Sequence, residues 1–396
     1  MARTEANAAT WTFADAIERL TLREGGNPIS SAQSDMRAAV MEAHERVTEE
    51  RMWEYLLTEH AIHLSAPYST GTVVYDHTGG TNENEVTLTT GTWPSWAKYG
   101  RLKLDGVYSP VLRRVSDTVI TLDADVNPGA DVASTSDWTI YREAYAMPDD
   151  FRAMYNLLTE GQWAAYYRHP NEWKELERFW ETSGTPYWWT LIGDDDRYSG
   201  WTVRVFGYPN TAESLDFLML RHPRALRYSG FNESVDRAGT LEATGTAVTG
   251  SGTALDSKMV GAILRIGDTT NHPDGLSGQN PYVEQRVITA VASATALTIA
   301  SAFTTDPGAG TKYVITDPID VDRTLLNAFR RCCEWHFTMI RGMKGMAAAE
   351  ANYVTALRQA MASGAKLLEP LRAGHSQSYM QDWARYWWLG TDLEDS

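Results

Sequence analysis

Two cysteines, no long apolar run and no surplus of positive charge define what this chain of 396 residues is not. Cys332 and Cys333 are adjacent, and neighbours on a helix point about 100° apart, so no disulfide between them is expected. A disulfide-stapled secreted scaffold is thereby excluded, and synthesis in a reducing cytoplasm fits. No segment approaches the ~20 uninterrupted apolar residues of a membrane-spanning helix. Arg3, Glu5, Asp15 and Glu18 leave no apolar stretch near the N-terminus, so no signal peptide is expected. The formal charge of −16 argues against a surface that grips nucleic acid from outside or binds an anionic membrane. With 43% hydrophobic and 22% charged residues, the chain is globular and long enough for about two or three domains.

Catalytic signatures are also missing. There is no G-x-S-x-G, no P-loop and no G-x-G-x-x-G. His60 and His63, with Glu59 beside them, are expected to share a helix face, but no HExxH pattern or nearby cysteine makes them a metal site. Asp194-Asp195-Asp196 reads as a solvated turn. Cys332 and His336 stand four apart like a thiol–base couple, yet their place in an apolar stripe points to packing. Carboxylates number 51, so acidic pairs arise anywhere and specify nothing. No cofactor, metal or catalytic residue is expected.

What is present begins with a long helical run from Asp320 to Glu369. Leu325, Leu326, Phe329, Cys333, Phe337, Ile340 and Met343 recur at spacings of three and four, and Ala347, Ala351, Val354, Leu357 and Met361 continue the stripe. Asp320 and Asp322 suit a first turn, and Pro370 is the expected end. Gly342 and Gly345 predict a kink or a division into two helices. Such a face needs an extended partner, so Leu325, Phe329, Phe337, Ile340, Val354 and Leu357 are candidate residues for packing between subunits. Near the start, Trp11–Leu22 predicts a short helix. Ser34-Asp35 offers a cap for a second, whose buried side of Met36, Val40, Ala43 and Val47 is expected to run on through Trp53, Leu56 and Leu57.

From Gly71 the texture becomes short alternating runs broken by Gly, Asn, Pro and Asp, the pattern of antiparallel strands. It returns from Gly239 to Ile315, piece for piece. Gly71-Thr72-Val73 corresponds to Gly239-Thr240-Leu241, and Gly91-Thr92 to Gly252-Thr253. Arg101–Leu104 corresponds to Ile263–Ile266, Val119–Leu122 to Ala296–Ile299, and Trp138–Ile140 to Tyr313–Ile315. Between the copies, Phe151–Trp180 is expected to be helical and crowded with aromatics, followed by strands at Trp188–Ile192, Trp201–Phe206 and Ser214–Leu220. After Pro370 a small, polar stretch leads to Trp383, Tyr386, Trp387, Trp388 and Leu389 and an acidic finish. Aromatic residues at such density favour a protein interface.

The expected fold class is α+β: a discontinuous helical body with a small antiparallel sheet, plus two inserted antiparallel β-sandwich or barrel modules. The divisions fall at 1–69, 70–145 (first module), 146–237, 238–316 (second module), 317–371 and 372–396.

Three stretches carry a resemblance to a known family. They are Arg51–Leu56 followed by Tyr68–Val73, then Tyr145-Ala146-Met147-Pro148-Asp149-Asp150-Phe151-Arg152, and Val205–Asn210 followed by Leu218–Pro223. In this order the chain resembles the head-to-tail adaptor (connector) proteins of short-tailed bacteriophages, over most of its length. The second β module and the aromatic tail are elaborations that the simplest members lack. The resemblance implies a structural virion protein, made in the host cytoplasm, that forms a ring of about twelve copies beneath the portal. Such a ring extends the DNA channel and gives tail nozzle or fibre proteins a seat. DNA would pass without specific binding along a channel face dominated by acids, and no membrane is involved. Trp383, Tyr386, Trp387, Trp388 and Leu389 would form the portal-binding segment. The alternative reading is a tail fibre or tailspike that binds a receptor.

Overall fold

The computed structural model describes residues 11–24, 30–78, 82–158, 164–173, 184, 186–193, 200–273 and 282–372. The chain forms two compact units, one of residues 1–52 with 223–396, the other of 53–222.

In the first unit, helix α1 (Phe13–Arg23) opens on a reciprocal cap in which Thr12 and Asp15 each accept the other's backbone N–H. Helix α2 (Ser30–Glu49) buries Met36, Ala39, Val40, Ala43 and Val47. The C-terminal run divides into α3 (Leu326–Ile340) and α4 (Met346–Arg372), parted where Gly342 and Gly345 adopt φ of +59° and +96°. Helix α4 continues past Pro370. Asp317 belongs to no helix. Its fully buried carboxylate accepts from Arg224 Nε and Nη2 and from the N–H groups of Arg227 and Tyr228 at 2.6–2.9 Å.

Two expectations of helix fail in the second unit. Leu57–His63 is strand β1, and Phe151–Leu158 is the strand numbered β10 below. Both flank the strand Ser214–Arg221, β1 in an unbroken seven-residue register from Leu57↔Leu220 to His63↔Ser214. Backbone pairing with a ready neighbour outweighed a modest helical preference. The expected three-stranded sheet therefore has seven strands: β1, β9 (Ala144–Ala146), β10, β11 (Ala164–Tyr167), β12 (Trp188–Gly193), β13 (Trp201–Phe206) and β14 (Ser214–Arg221), ordered β1-β14-β10-β11-β12-β13-β9. The β11–β12 pair is parallel.

The repeat is realised strand for strand. The first module comprises β2 (Val73–Asp76), β3 (Glu85–Leu88), β4 (Gly100–Leu104), β5 (Val107–Arg114), β6 (Val119–Leu122), β7 (Val132–Thr135) and β8 (Trp138–Arg142). The second comprises β15 (Thr240–Thr244), β16 (Ala247–Ser251), β17 (Ile263–Ile266), β18 (Glu284–Ser293), β19 (Ala296–Ile299) and β20 (Tyr313–Thr316). Their orders, β2-β3-β6-β5-β4-β8 and β15-β16-β19-β18-β17-β20, are the same, with β7 added outside β2. A bulge interrupts both long strands at the equivalent place, after Val111 (paired to Leu122) and after Ile288 (paired to Ile299). Each module has its own core, Val73, Leu102, Ile120, Trp138 and Ile140 in one, Leu241, Leu264, Leu297, Tyr313 and Ile315 in the other.

Candidate assembly surface

Alternation along β17 sends Leu264 and Ile266 inward and Arg265 outward, and β4 does the same with Leu102, Leu104 and Lys103. That outer face is docked in both modules. In the second, Arg265 makes a two-pronged pair with Asp15 (both bonds 2.8 Å), donates to Gln285 Oε1 at 3.1 Å and lies 4.4 Å from the centre of the Tyr282 ring. Beside it, Thr316 Oγ1 accepts from Ala14 N at 3.0 Å. In the first module the equivalent positions are Lys103, Tyr108 and Tyr141, and both tyrosines stack on Tyr208, at 5.7 and 5.3 Å. One face thus meets an α1 N-terminus through buried charge and the other a β13–β14 turn through stacked rings. Each module is fastened to its own unit.

The helices of the first unit form the second part of the surface. Residues spaced three and four apart on α3 fill the contact with α2 and α4, so Leu325, Phe329 and Phe337 are 2%, 0% and 1% exposed, and Leu357 of α4 is also buried. These four were expected between subunits, but they are already buried within the single chain. Ile340 remains 37% exposed and Val354 half-buried. Trp383, Tyr386, Trp387, Trp388 and Leu389 lie outside the described residues.

Where α3 turns into α4, Met339, Ile340, Met343 and Met346 are all at least 37% exposed within eight positions. The turn is firmly held: Met343 N donates to Thr338 O (2.9 Å), Gly342 N to Met339 O (3.1 Å) and Ala349 N to Gly345 O (3.0 Å). Among the described residues this is the densest group of exposed large apolar side chains.

Positive charge gathers around Glu334 of α3. Arg19 and Arg23 of α1 and Arg331 of α3 all converge on one carboxylate, Glu334, at 3.2, 3.3 and 2.9 Å. Glu334 stands five residues before Met339, about 7.5 Å along the helix. Three guanidinium groups on one acid leave a local excess of charge. Arg330, over the Trp11 ring at 3.9 Å, has its pKa lowered by burial first and by neighbouring Arg19 second. Arg341 pairs with Asp35 at 3.0 Å, and Lys344 is exposed at the turn itself. Sequence reading missed this cluster. Arg19 and Arg23 are spaced for one helix face, but only packing brings α1 beside α3.

The residues weighed for chemistry are placed elsewhere. Cys332 and Cys333 are buried, and burial drives the Cys332 thiol up to about 12 and the Cys333 thiol well above its usual value. His336 lies on the buried side of α3 and meets Glu42 Oε2 through Nδ1 at 2.9 Å. His60 and His63 sit on a strand, three apart and therefore on opposite faces, with His60 edge-on to Phe217 at 5.4 Å. Asp194–Asp196 lie outside the described residues. Among the described residues no three His, Cys, Asp or Glu side chains are grouped to hold a metal. No helix there is long and apolar enough to cross a membrane.

Comparison with protein-family models, with curated proteins and with solved structures found no match to this chain.

Proposed function

We propose that this chain is a structural virion protein, a head-to-tail adaptor that assembles as a ring beneath the portal of a short-tailed phage and extends the DNA channel. The observation that carries the reading is the uncovered end of the α1–α3–α4 helices. There, four large apolar side chains are presented on a hydrogen-bonded turn that follows the helix bearing the Glu334 arginine cluster, a surface suited to another protein chain. The two modules support it, because a β module fastened by one face is a form suited to carry tail nozzle or fibre proteins. The net charge of −16 suits a conduit, since an acidic lining lets DNA slide where a basic one would hold it.

Native mass measurement and a low-resolution image of the purified assembly test the reading. A closed ring of about twelve copies is expected. A trimer would move the chain to the fibre or tailspike class, and a monomer at all concentrations would refute ring formation.

A further inference from the structure

Four arginines stand together where α1 meets α3, and a single acid serves three of them. Glu334 Oε1 takes Arg19 Nη2 at 3.2 Å, while its Oε2 takes both Arg23 Nη1 at 3.3 Å and Arg331 Nη1 at 2.9 Å. A guanidinium carries five N–H donors, so most of those in this cluster are left without a carboxylate oxygen. The fourth, Arg330, lies over the Trp11 ring at 3.9 Å and close enough to Arg19 for that charge to add to the lowering of its pKa by burial. Asp15, which opposes that lowering, is already held by two bonds of 2.8 Å from Arg265.

The unused donors are not all in water. Arg19 Nε and Arg330 Nε are buried and have no hydrogen-bond partner among the described residues. A buried donor without an acceptor is costly, and native structures rarely leave one so. The same cluster is reachable from solvent, because the side chains of Arg19, Arg23 and Arg331 are 39%, 45% and 42% exposed. It is thus short of acceptor oxygens and of negative charge, and a small solute can enter it.

The guanidinium fork matches carboxylate and phosphate. A second carboxylate would only repeat what Glu334 supplies, two oxygens and one charge. A phosphate brings three strong acceptor oxygens and about 1.5–2 negative charges at pH 7. A long polyanion is disfavoured, since the chain as a whole has a formal charge of −16 and repels it beyond this patch. We propose that Arg19, Arg23, Arg330 and Arg331 form a binding site for a small phosphate, either inorganic phosphate or a phosphomonoester. The anion accepts from N–H groups that Glu334 leaves unused and ties α1 to α3. The inference needs neither a ring nor a portal, so it stands or falls apart from the adaptor reading.

Calorimetric titration of the full-length chain with inorganic phosphate tests this, at fixed ionic strength with chloride as the balancing anion. One phosphate per chain is expected, with a rise in Tm, because a ligand of the folded state stabilises it. Arg23→Gln, at a nearly half-exposed position, should keep the parent's circular dichroism and weaken phosphate about tenfold or more. Glu334→Gln removes the competing carboxylate, so it should bind phosphate more tightly than the parent and gain more in Tm from it. A purely structural role for the cluster predicts no such tightening. Should Glu334→Gln fail to fold, Arg23→Gln decides alone. The proposal is overturned if phosphate gives neither heat nor a Tm shift beyond the chloride control, or if Arg23→Gln leaves the affinity unchanged. Succinate binding as tightly as phosphate would make this a carboxylate site, and displacement of phosphate by a short DNA duplex would assign it to nucleic acid; either result also overturns the proposal.

Discussion

The Asp15–Arg265 pair fastens the second module to the helices, and its contribution can be worked out from the structure. Both side chains are nearly inaccessible, 4% and 2% exposed, and two bonds of 2.8 Å join them. Replacing Asp15 by Asn retains the volume and an acceptor for the α1 cap but leaves the Arg265 charge buried and unmatched. Breaking one side of a buried pair costs about 3–5 kcal/mol. Gln285 and the Tyr282 ring still face Arg265, so the lower figure, about 3 kcal/mol, is expected. For a unit of this size that is a fall in Tm of about 6–12 °C. Arg265→Met should cost about as much by stranding Asp15, while the double variant, with no charge left to strand, should lose less than the two single losses combined by about 2 kcal/mol. Urea unfolding gives the free energies, and hydrogen exchange of α1 and β17 shows which side of the pair opens. Additivity within about 0.5 kcal/mol, or an Asp15→Asn variant as stable as the parent, would refute the account.

Three other outcomes follow from buried groups and tight turns. Burial lowers the His44 pKa from 6.5 to about 4, with Asp320 opposing, and its Nε2 has no hydrogen-bond partner. The unfolded chain therefore binds the proton first, so stability is full above pH 6.5 and falls as pH drops towards 4, by about 3 kcal/mol, a slope that His44→Leu should remove in unfolding titrations. Gly71 and Gly239 hold φ of +96° and +74°, and a Cβ at either would strike a backbone oxygen, of Thr90 or Ser251. Gly71→Ala and Gly239→Ala should each destabilise their own module by at least about 1–3 kcal/mol, read as faster hydrogen exchange confined to that module. Cys332 and Cys333 should resist a thiol reagent at pH 8 in the folded chain and react promptly in denaturant; rapid native labelling would contradict their raised pKa values and burial.

The legible parts of the fold were those governed by local rules. Glycines at 342 and 345 announced the break between α3 and α4 because a left-handed backbone suits little else. The duplicated module was readable because equivalent turns reuse glycine at positions such as Gly71 and Gly239, and equivalent strands repeat the same alternation. Strands β12, β13 and β14 were located to within a residue or two. The misread segments, Leu57–His63 and Phe151–Leu158, are those whose conformation depends on a distant neighbour. Both pair with β14, more than fifty residues further along the chain. The start of the C-terminal run was misread for a similar reason: Asp320 and Asp322 were taken for its first turn, while α3 begins at Leu326 and the Asp320 carboxylate accepts from the distant Arg224 N–H at 3.1 Å.

By itself, then, the order of residues determined α1, the break between α3 and α4, and the existence of two like modules with their glycine turns, since capping, φ preference and hydrophobic period act over a few positions. Tertiary structure alone decided which apolar faces are used up inside the chain and which are left over. Leu325, Phe329 and Phe337 share a stripe with Ile340, yet packing against α2 and α4 covers the first three and leaves the last at an open turn. It also decided that Arg19, Arg23 and Arg331 meet at one glutamate, because charge accumulates in space and a linear sequence does not say which helices lie side by side.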